Sequence, residues 1–246
     1  KPNMRPTTIW LAGRQVAVLK EVLRRQPEAL LQYGDPESLS ERERLKALLA
    51  YVERVGGRQR EGTDFAPEQV QRIACAEVLA ALPAMWRKGI VNPDVRKLLL
   101  QLFEALPTSD GSDIAFEVLT DSRANLIERG LAADALVASN DAHLPAIAQA
   151  LAHDRVAWPD GPATSIALRL IPMHIRPQQL CSLLDRLSPT PNAPGRDFGP
   201  ALARHVNDDL FDTAFLTVLR DGVSTAIVEG MGWSRSEYPR YRTRRS

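Results

Sequence analysis

Four histidines and two cysteines are the residues best suited to metal or nucleophilic chemistry in this chain. His143 and His153 stand ten positions apart, a spacing that does not place two side chains on one face of a straight helix. Pro145 makes His143 a helix-start residue. His153-Asp154 is half of a metal-hydrolase pattern, and the sequence has no second His-Asp pair. His174 falls in a turn bounded by Pro172 and Pro177. His205 precedes Asn207-Asp208-Asp209, which reads as a helix cap, because carboxylates just before an apolar run stabilise the first-turn amides. Cys75 and Cys181 sit in apolar helical runs with no histidine at ligand spacing, so both read as small buried hydrophobes.

Signatures of catalysis are missing. A phosphate-binding loop needs glycines that let backbone amides reach the phosphates, followed by a lysine, and no G-x-x-x-x-G-K-[ST] occurs. Gly230-Met231-Gly232 lacks the third glycine of a dinucleotide fingerprint. Neither H-E-x-x-H nor G-x-S-x-G is present. The expectation is a chain that is no enzyme and holds no cofactor and no metal. A helical hydrolase or lyase could be assembled from His143, His153, Asp154 and His205 only if folding gathers them.

Binding chemistry is more visible. Residues 233–246 carry Arg235, Arg240, Arg242, Arg244 and Arg245 against one acid, Glu237, with Trp233, Tyr238 and Tyr241 interleaved. Arginine beside aromatic rings neutralises phosphate and stacks on bases, so Arg235, Arg240, Tyr241, Arg242, Arg244 and Arg245 are the nucleic-acid candidates. The competing reading is a solvated tail or the edge of a further unit. Trp10, Trp86 and Trp158 read as core or inter-repeat plugs. Trp158-Pro159 in an exposed loop would instead anchor a partner.

These residues rest on a helical frame. The 246 residues are 44% hydrophobic and 25% charged, with net charge +1, a globular composition with no overall pull toward nucleic acid. No apolar run is long enough to span a membrane, and no secretory leader is evident, so the expectation is a cytoplasmic protein with no membrane partner. The chain starts at Lys1, which reads as a processed protein or a piece of a longer one. Ser40 and Glu43 spell a capping box ahead of Leu45, Leu48, Leu49 and Val52, and Gly56-Gly57 supplies a stop. Pro27 splits the apolar run from Arg14 to Leu31 or begins a second short helix there. One helix is expected from Pro67 to Leu82, ended by Pro83, with Met85 and Trp86 in a short turn. Asn92-Pro93-Asp94 caps the strongest amphipathic run, Val95 to Leu106. Shorter helices follow near 112–120, 123–139, 143–152, 162–171, 177–187, 197–206, 209–220 and 223–230.

Self-similarity recurs at a spacing near 33. Arg96 opens a run ending in Leu102-Phe103, Arg129 opens one ending in Ala135-Leu136, and Ala167-Leu168 takes the equivalent place. Leu119-Thr120-Asp121 is echoed by Leu151-Ala152-His153-Asp154. The fold class expected is all-α, as a HEAT-like α-solenoid of antiparallel helix pairs over residues 1–232 followed by the basic tail 233–246; the alternative is an irregular multi-helix bundle.

The segments Tyr33-Gly34-Asp35-Pro36 before Leu39-Ser40, Arg129-Gly-Leu-Ala-Ala-Asp-Ala-Leu136 before Asn140-Asp141, and Leu170-Ile-Pro-Met-His-Ile-Arg-Pro-Gln-Gln-Leu180 together resemble the HEAT-like helical region of large bacterial STAND or NACHT-type NTPases. The likeness spans roughly residues 27–210. Ile171-Pro172 stands where a Trp-Pro pair is common in that family. The resemblance implies a sensor or scaffold region that binds a protein partner or other domains of a longer chain, with the nucleotide-binding domain elsewhere, and a role in bacterial antiviral defence. Nucleic-acid binding is the alternative. Under that alternative, affinity for an oligonucleotide falls steeply with salt, and deleting residues 233–246 flattens the slope in a titration; binding that ignores salt removes the reading.

Overall fold

A computed structural model describes residues 5–34, 39–59, 62–187, 198, 201–202 and 212–228. They form thirteen α-helices and, among the described residues, no strand. The chain divides into two compact units, Lys1–Asp141 and Ala142–Ser246.

The first unit holds α1 (Arg5–Ala12), α2 (Val16–Arg25), α3 (Pro27–Tyr33), α4 (Glu41–Val55), α5 (Pro67–Ile73), α6 (Ala76–Trp86), α7 (Pro93–Ala105), α8 (Ser109–Thr120) and α9 (Leu126–Ala138). Alternate helices pack side by side: α1 on α3, α3 on α5, α5 on α7 and α7 on α9 make one row, and α2 on α4, α4 on α6 and α6 on α8 make a second. Contacts such as α3 with α4 and α8 with α9 join the rows. Leu48 and Tyr51 of α4, Leu82 and Met85 of α6, and Leu98, Leu99, Leu100 and Leu102 of α7 fill the core. Tyr51 is fully buried, and its hydroxyl accepts from the Thr63 amide at 2.9 Å. Burial pushes its phenol pKa up.

The second unit contains α10 (Leu144–His153), α11 (Asp160–Leu170), α12 (Pro177–Arg186) and α13 (Thr213–Val228). Here α10 packs on α11 and α12, and α12 packs on α13. Gly222 lets α13 approach α12 closely, since a Cβ there would come within 2.5 Å of the Cys181 sulfur. The helices expected at 209–220 and 223–230 are joined in α13, which runs through this glycine. Among the described residues no helix is long and apolar enough to cross a membrane.

Helix starts follow the cap residues. Ser40 Oγ accepts from the Glu43 amide while Glu43 Oε2 accepts from the Ser40 amide, a closed capping box. Thr108 caps α8 and Asn125 caps α9 in the same sense. Pro27, Pro67, Pro93 and Pro177 each open a helix, where a missing N–H costs nothing.

The segment from Pro67 to Leu82 is not one helix. It breaks at Ala74 and Cys75, both extended. Two side chains from α4 hold the break. Arg44 donates to the carbonyls of Arg72 and Ala74, at 3.1 and 3.5 Å, and Glu41 accepts from the Glu77 amide at 3.3 Å. Orphaned groups on both sides of the break thus find partners. Pro83 lies inside α6, which continues to Trp86. The proline forfeits one helical hydrogen bond, and burial of Leu82, Pro83 and Met85 offsets that loss.

The 33-residue spacing has a structural counterpart. Helices α7 and α9 start at Pro93 and Leu126 and lie against each other in one row. The ends of α8 and α10 carry the same local turn: Asp121 accepts from the Arg123 amide at 2.9 Å, and Asp154 accepts from the Val156 and Ala157 amides at 3.1 and 2.9 Å. Cys75 is buried and Cys181 half-buried, and both are free thiols.

Asn92 fixes the start of α7. It is wholly buried, its Oδ1 accepts from the Asp94 and Val95 amides at 2.9 and 3.1 Å, and its Nδ2 donates to the Arg58 carbonyl at 2.8 Å. Asn92→Ala is expected to lower stability by roughly 2–3 kcal/mol, because the cap and a buried carbonyl partner are lost together. Asn92→Ser keeps a capping oxygen and loses less. Urea denaturation followed by circular dichroism measures both.

Candidate interaction surface

The best-defined polar surface of the first unit lies where α6 ends and α7 and α9 begin. Arg96, in the first turn of α7, grips Glu128 of α9 with two hydrogen bonds, Nε to Oε1 at 2.7 Å and Nη2 to Oε2 at 3.1 Å. The same guanidinium lies over the Trp86 ring, 4.5 Å from its centroid. Trp86 meets Phe103 edge-on. One planar cation is therefore held by a carboxylate fork and an aromatic face, a geometry lysine cannot reproduce. The neighbouring residue Lys97 reaches the other way, its Nζ 2.7 Å from Asp64 Oδ1 ahead of α5. Adjacent side chains of α7 thus tie it to α9 and to the segment that leads into α5.

Beside this pair the surface turns apolar. Leu126 and Ile127 immediately precede Glu128 and are 45% and 66% exposed. They lie outside the buried stripe of α9, which uses Ala132, Ala133 and Leu136. Arg129 is buried and donates from Nε to the Leu119 carbonyl at 2.9 Å, and burial lowers its pKa. Asp121, hydrogen-bonded by Arg123, has its carboxyl held below the usual range. Leu126 and Ile127 are exposed apolar side chains in the first turn of α9, whereas Glu128, next in sequence, is buried against Arg96. Sequence reasoning missed this exposed pair. The available signal was the phase of Leu126 and Ile127, two apolar residues just after a capping Asn and off the 3.6-residue stripe.

In the second unit a charged cluster surrounds Asp160, the first residue of α11. Asp160 is buried; its Oδ2 accepts from Arg155 at 3.0 Å and its Oδ1 lies 3.8 Å from Arg186 Nη2. Arg186 donates to the Trp158 carbonyl. Burial lowers the Arg186 pKa. Trp158 itself is 5% exposed. The exposure that the expected partner-anchor role of Trp158 needs is not found: its side chain is buried although residues 153–157 and Pro159 around it are exposed. The other expected binding residues, Arg235, Arg240, Tyr241, Arg242, Arg244 and Arg245, lie outside the described residues, as does His205.

Of the remaining histidines, His143 precedes α10, His153 ends it, and the His174 amide donates to the Leu170 carbonyl. Among the described residues no three His, Cys, Asp or Glu side chains are grouped to hold a metal ion.

Comparison with known proteins gives no relative: no family model, curated protein or solved structure matches this chain.

Glu128 has a nearly buried carboxylate whose partner is Arg96. Removing Arg96 alone leaves that charge uncompensated, so Arg96→Ala is expected to cost about 3 kcal/mol. The double change Arg96→Met with Glu128→Leu is expected to cost less than Arg96→Ala alone. A double-mutant cycle in denaturant checks the ordering.

Proposed function

We propose that this chain is a non-catalytic helical-repeat scaffold or sensor region, built as a HEAT-like stack, that works by binding a protein partner. The observation that carries the proposal is the arrangement of the first unit in two rows of alternate helices. Its side-chain links recur at the repeat spacing: Asp64 to Lys97 spans 33 residues and Arg96 to Glu128 spans 32. A two-helix unit cannot bury both apolar faces alone, and stacking neighbours makes the core continuous. The partner contact is assigned to the exposed Leu126 and Ile127 at the start of α9. Binding there favours one packing of α9 against α7 over another and so shifts the population of the stack.

The segments quoted above for STAND and NACHT-type NTPases support a place in a larger bacterial NTPase-linked defence or signalling protein, in the cytoplasm. That placement rests on the resemblance and not on the packing.

The test is affinity capture of the full chain from its native cells, with and without nuclease, read by mass spectrometry and repeated with Leu126→Asp/Ile127→Asp. The scaffold reading expects one protein partner that survives nuclease and falls at least about tenfold with the double variant, while helicity is unchanged. Peptides of an attached NTPase domain would identify the parent chain. Recovery of nucleic acid, with protein lost after nuclease, would overturn the reading in favour of the Arg/Tyr tail.

A further inference from the structure

A second surface lies on the outer side of the row that contains α4, α6 and α8. These helices run in one direction. Glu41 at the start of α4 accepts from the Glu77 amide at the start of α6, and the Gly56 carbonyl after α4 accepts from the Val91 and Asn92 amides after α6. The end of α8 shares that second edge: the Leu119 carbonyl accepts from Arg129, next to the Glu128 that holds Arg96 over Trp86. In the middle of the three, α6 turns alanine to solvent. Ala76, Ala80 and Ala84 are one turn apart and exposed, while Val78, Leu82, Pro83 and Met85 are buried. Methyl groups leave a shallow trough between α4 and α8, where another helix approaches closely. Glu77 and Arg87 stand at the two ends of the trough, one of each sign.

The flanks of the trough carry opposite charge. On α4, Arg42 and Lys46 are one turn apart and exposed. The acids at the start of α4 are engaged, Glu41 with the Glu77 amide and Glu43 in the capping box. Exposed Glu53 lies seven residues past Lys46, about 10 Å further along the axis. Half-buried Leu45 and Leu49 follow Glu41 at four-residue steps, so they line the flank of α4 next to α6. On α8, Asp110, Asp113 and Glu117 are all exposed, and the helix has no cation. They lie away from Ser112, whose hydroxyl donates to Ser139 after α9, and therefore on the flank toward α6. Among the described residues, none of these two cations and three carboxylates is ion-paired. A face that is basic on one flank and acidic on the other is complementary to itself. A twofold axis along α6 lays α4 of one copy over α8 of the other and keeps the helix directions. The charges then match in height: Arg42 and Asp110 are each second in their helices, and Lys46, sixth, falls between Asp113, fifth, and Glu117, ninth. A twofold axis across the helices would set α8 on α8, carboxylate against carboxylate.

We propose that the outer face of α4, α6 and α8 is a docking surface for a second copy of this chain. The two copies meet along their α6 helices, alanine on alanine. Arg42 and Lys46 of each copy face Asp110, Asp113 and Glu117 of the other. The alanines allow close approach, and the two charge contacts fix the direction of pairing. This surface is separate from the one at Leu126 and Ile127 and does not rest on it.

Sedimentation equilibrium of the full chain tests the proposal. The mass is expected to rise with concentration from one chain toward two, and the dimer to weaken as salt rises. Arg42→Glu/Lys46→Glu is expected to weaken it at least about tenfold, and so is Asp110→Lys/Asp113→Lys/Glu117→Lys, because each variant makes both charge contacts repulsive. Mixing the two variants is expected to restore a dimer, since every basic flank then meets an acidic one. Ala80→Trp, which fills the trough from an exposed position, is expected to abolish association. Leu126→Asp/Ile127→Asp is expected to leave it unchanged, which separates this surface from the partner contact. Circular dichroism checks that each variant keeps its helicity. The proposal is overturned if the chain is monomeric at every concentration, if the mixed variants stay monomeric, or if Ala80→Trp leaves the dimer intact. A dimer that either charge reversal leaves unchanged uses another face and also overturns it.

Discussion

The first unit depends on one buried amide. Asn92 sits where water cannot reach, so each of its polar atoms must be satisfied by protein. Its oxygen closes the first turn of α7, and its nitrogen takes the Arg58 carbonyl from the segment after α4. Its own amide donates to the Gly56 carbonyl at 3.0 Å. A single side chain therefore sets where α7 begins and how it meets the end of α4. Once that start is fixed, the register of Leu98, Leu99 and Leu102 in the core follows, and so do the opposite reaches of Arg96 and Lys97.

Both units bury charge and neither pairs all of it: Arg44 Nε of the first unit is buried without a hydrogen-bond partner. In the first, Glu128 and Arg129 are adjacent and buried, and each has a partner at hydrogen-bond distance. Desolvation of such groups costs several kcal/mol, about what well-formed partners return. Glu128 ties α9 to Arg96 of α7, and Arg129 ties it to the Leu119 carbonyl of α8. In the second unit, Asp160 Oδ1 and Arg186 Nε and Nη1 are buried without hydrogen-bond partners. The Arg186 donors diverge across the guanidinium plane, so no single carboxylate reaches both.

What the sequence displayed was local. Ser40 with Glu43, Asn92 before Pro93, and Pro27, Pro67 and Pro177 mark helix starts because caps and prolines act within one turn. The all-α class followed from periodicity, which is also local. Three features depended on distant residues and were hidden. The break at Ala74 and Cys75 is held by Glu41 and Arg44, more than a full helix earlier in the chain. Helix α13 passes through Gly222, where Cys181 of α12 occupies the space a side chain would need. Trp158 is buried, and its backbone carbonyl accepts from Arg186, 28 residues away. The candidate surface was half legible: Arg96 and Arg129 stood out as repeat markers, yet one pairs with a carboxylate and the other with a backbone carbonyl.

That difference between equivalent arginines bears on how a stack could respond to a partner. Arg96 spans two helices of one row through Glu128, and its neighbour Lys97 continues the link to Asp64 ahead of α5. The Arg96 link is half-buried and bidentate, whereas Asp64 is 74% exposed. Exposed pairs contribute little and buried ones resist separation. A displacement of α9 by a partner at Ile127 would therefore carry α7 with it before disturbing α5. The exposed Lys97–Asp64 pair adds little to the α5–α7 contact, which rests on the packing of the two helices with Val70 and Ile73 buried. The stiff element is the α7–α9 pair, joined through Arg96 and backed by the Trp86 and Phe103 rings.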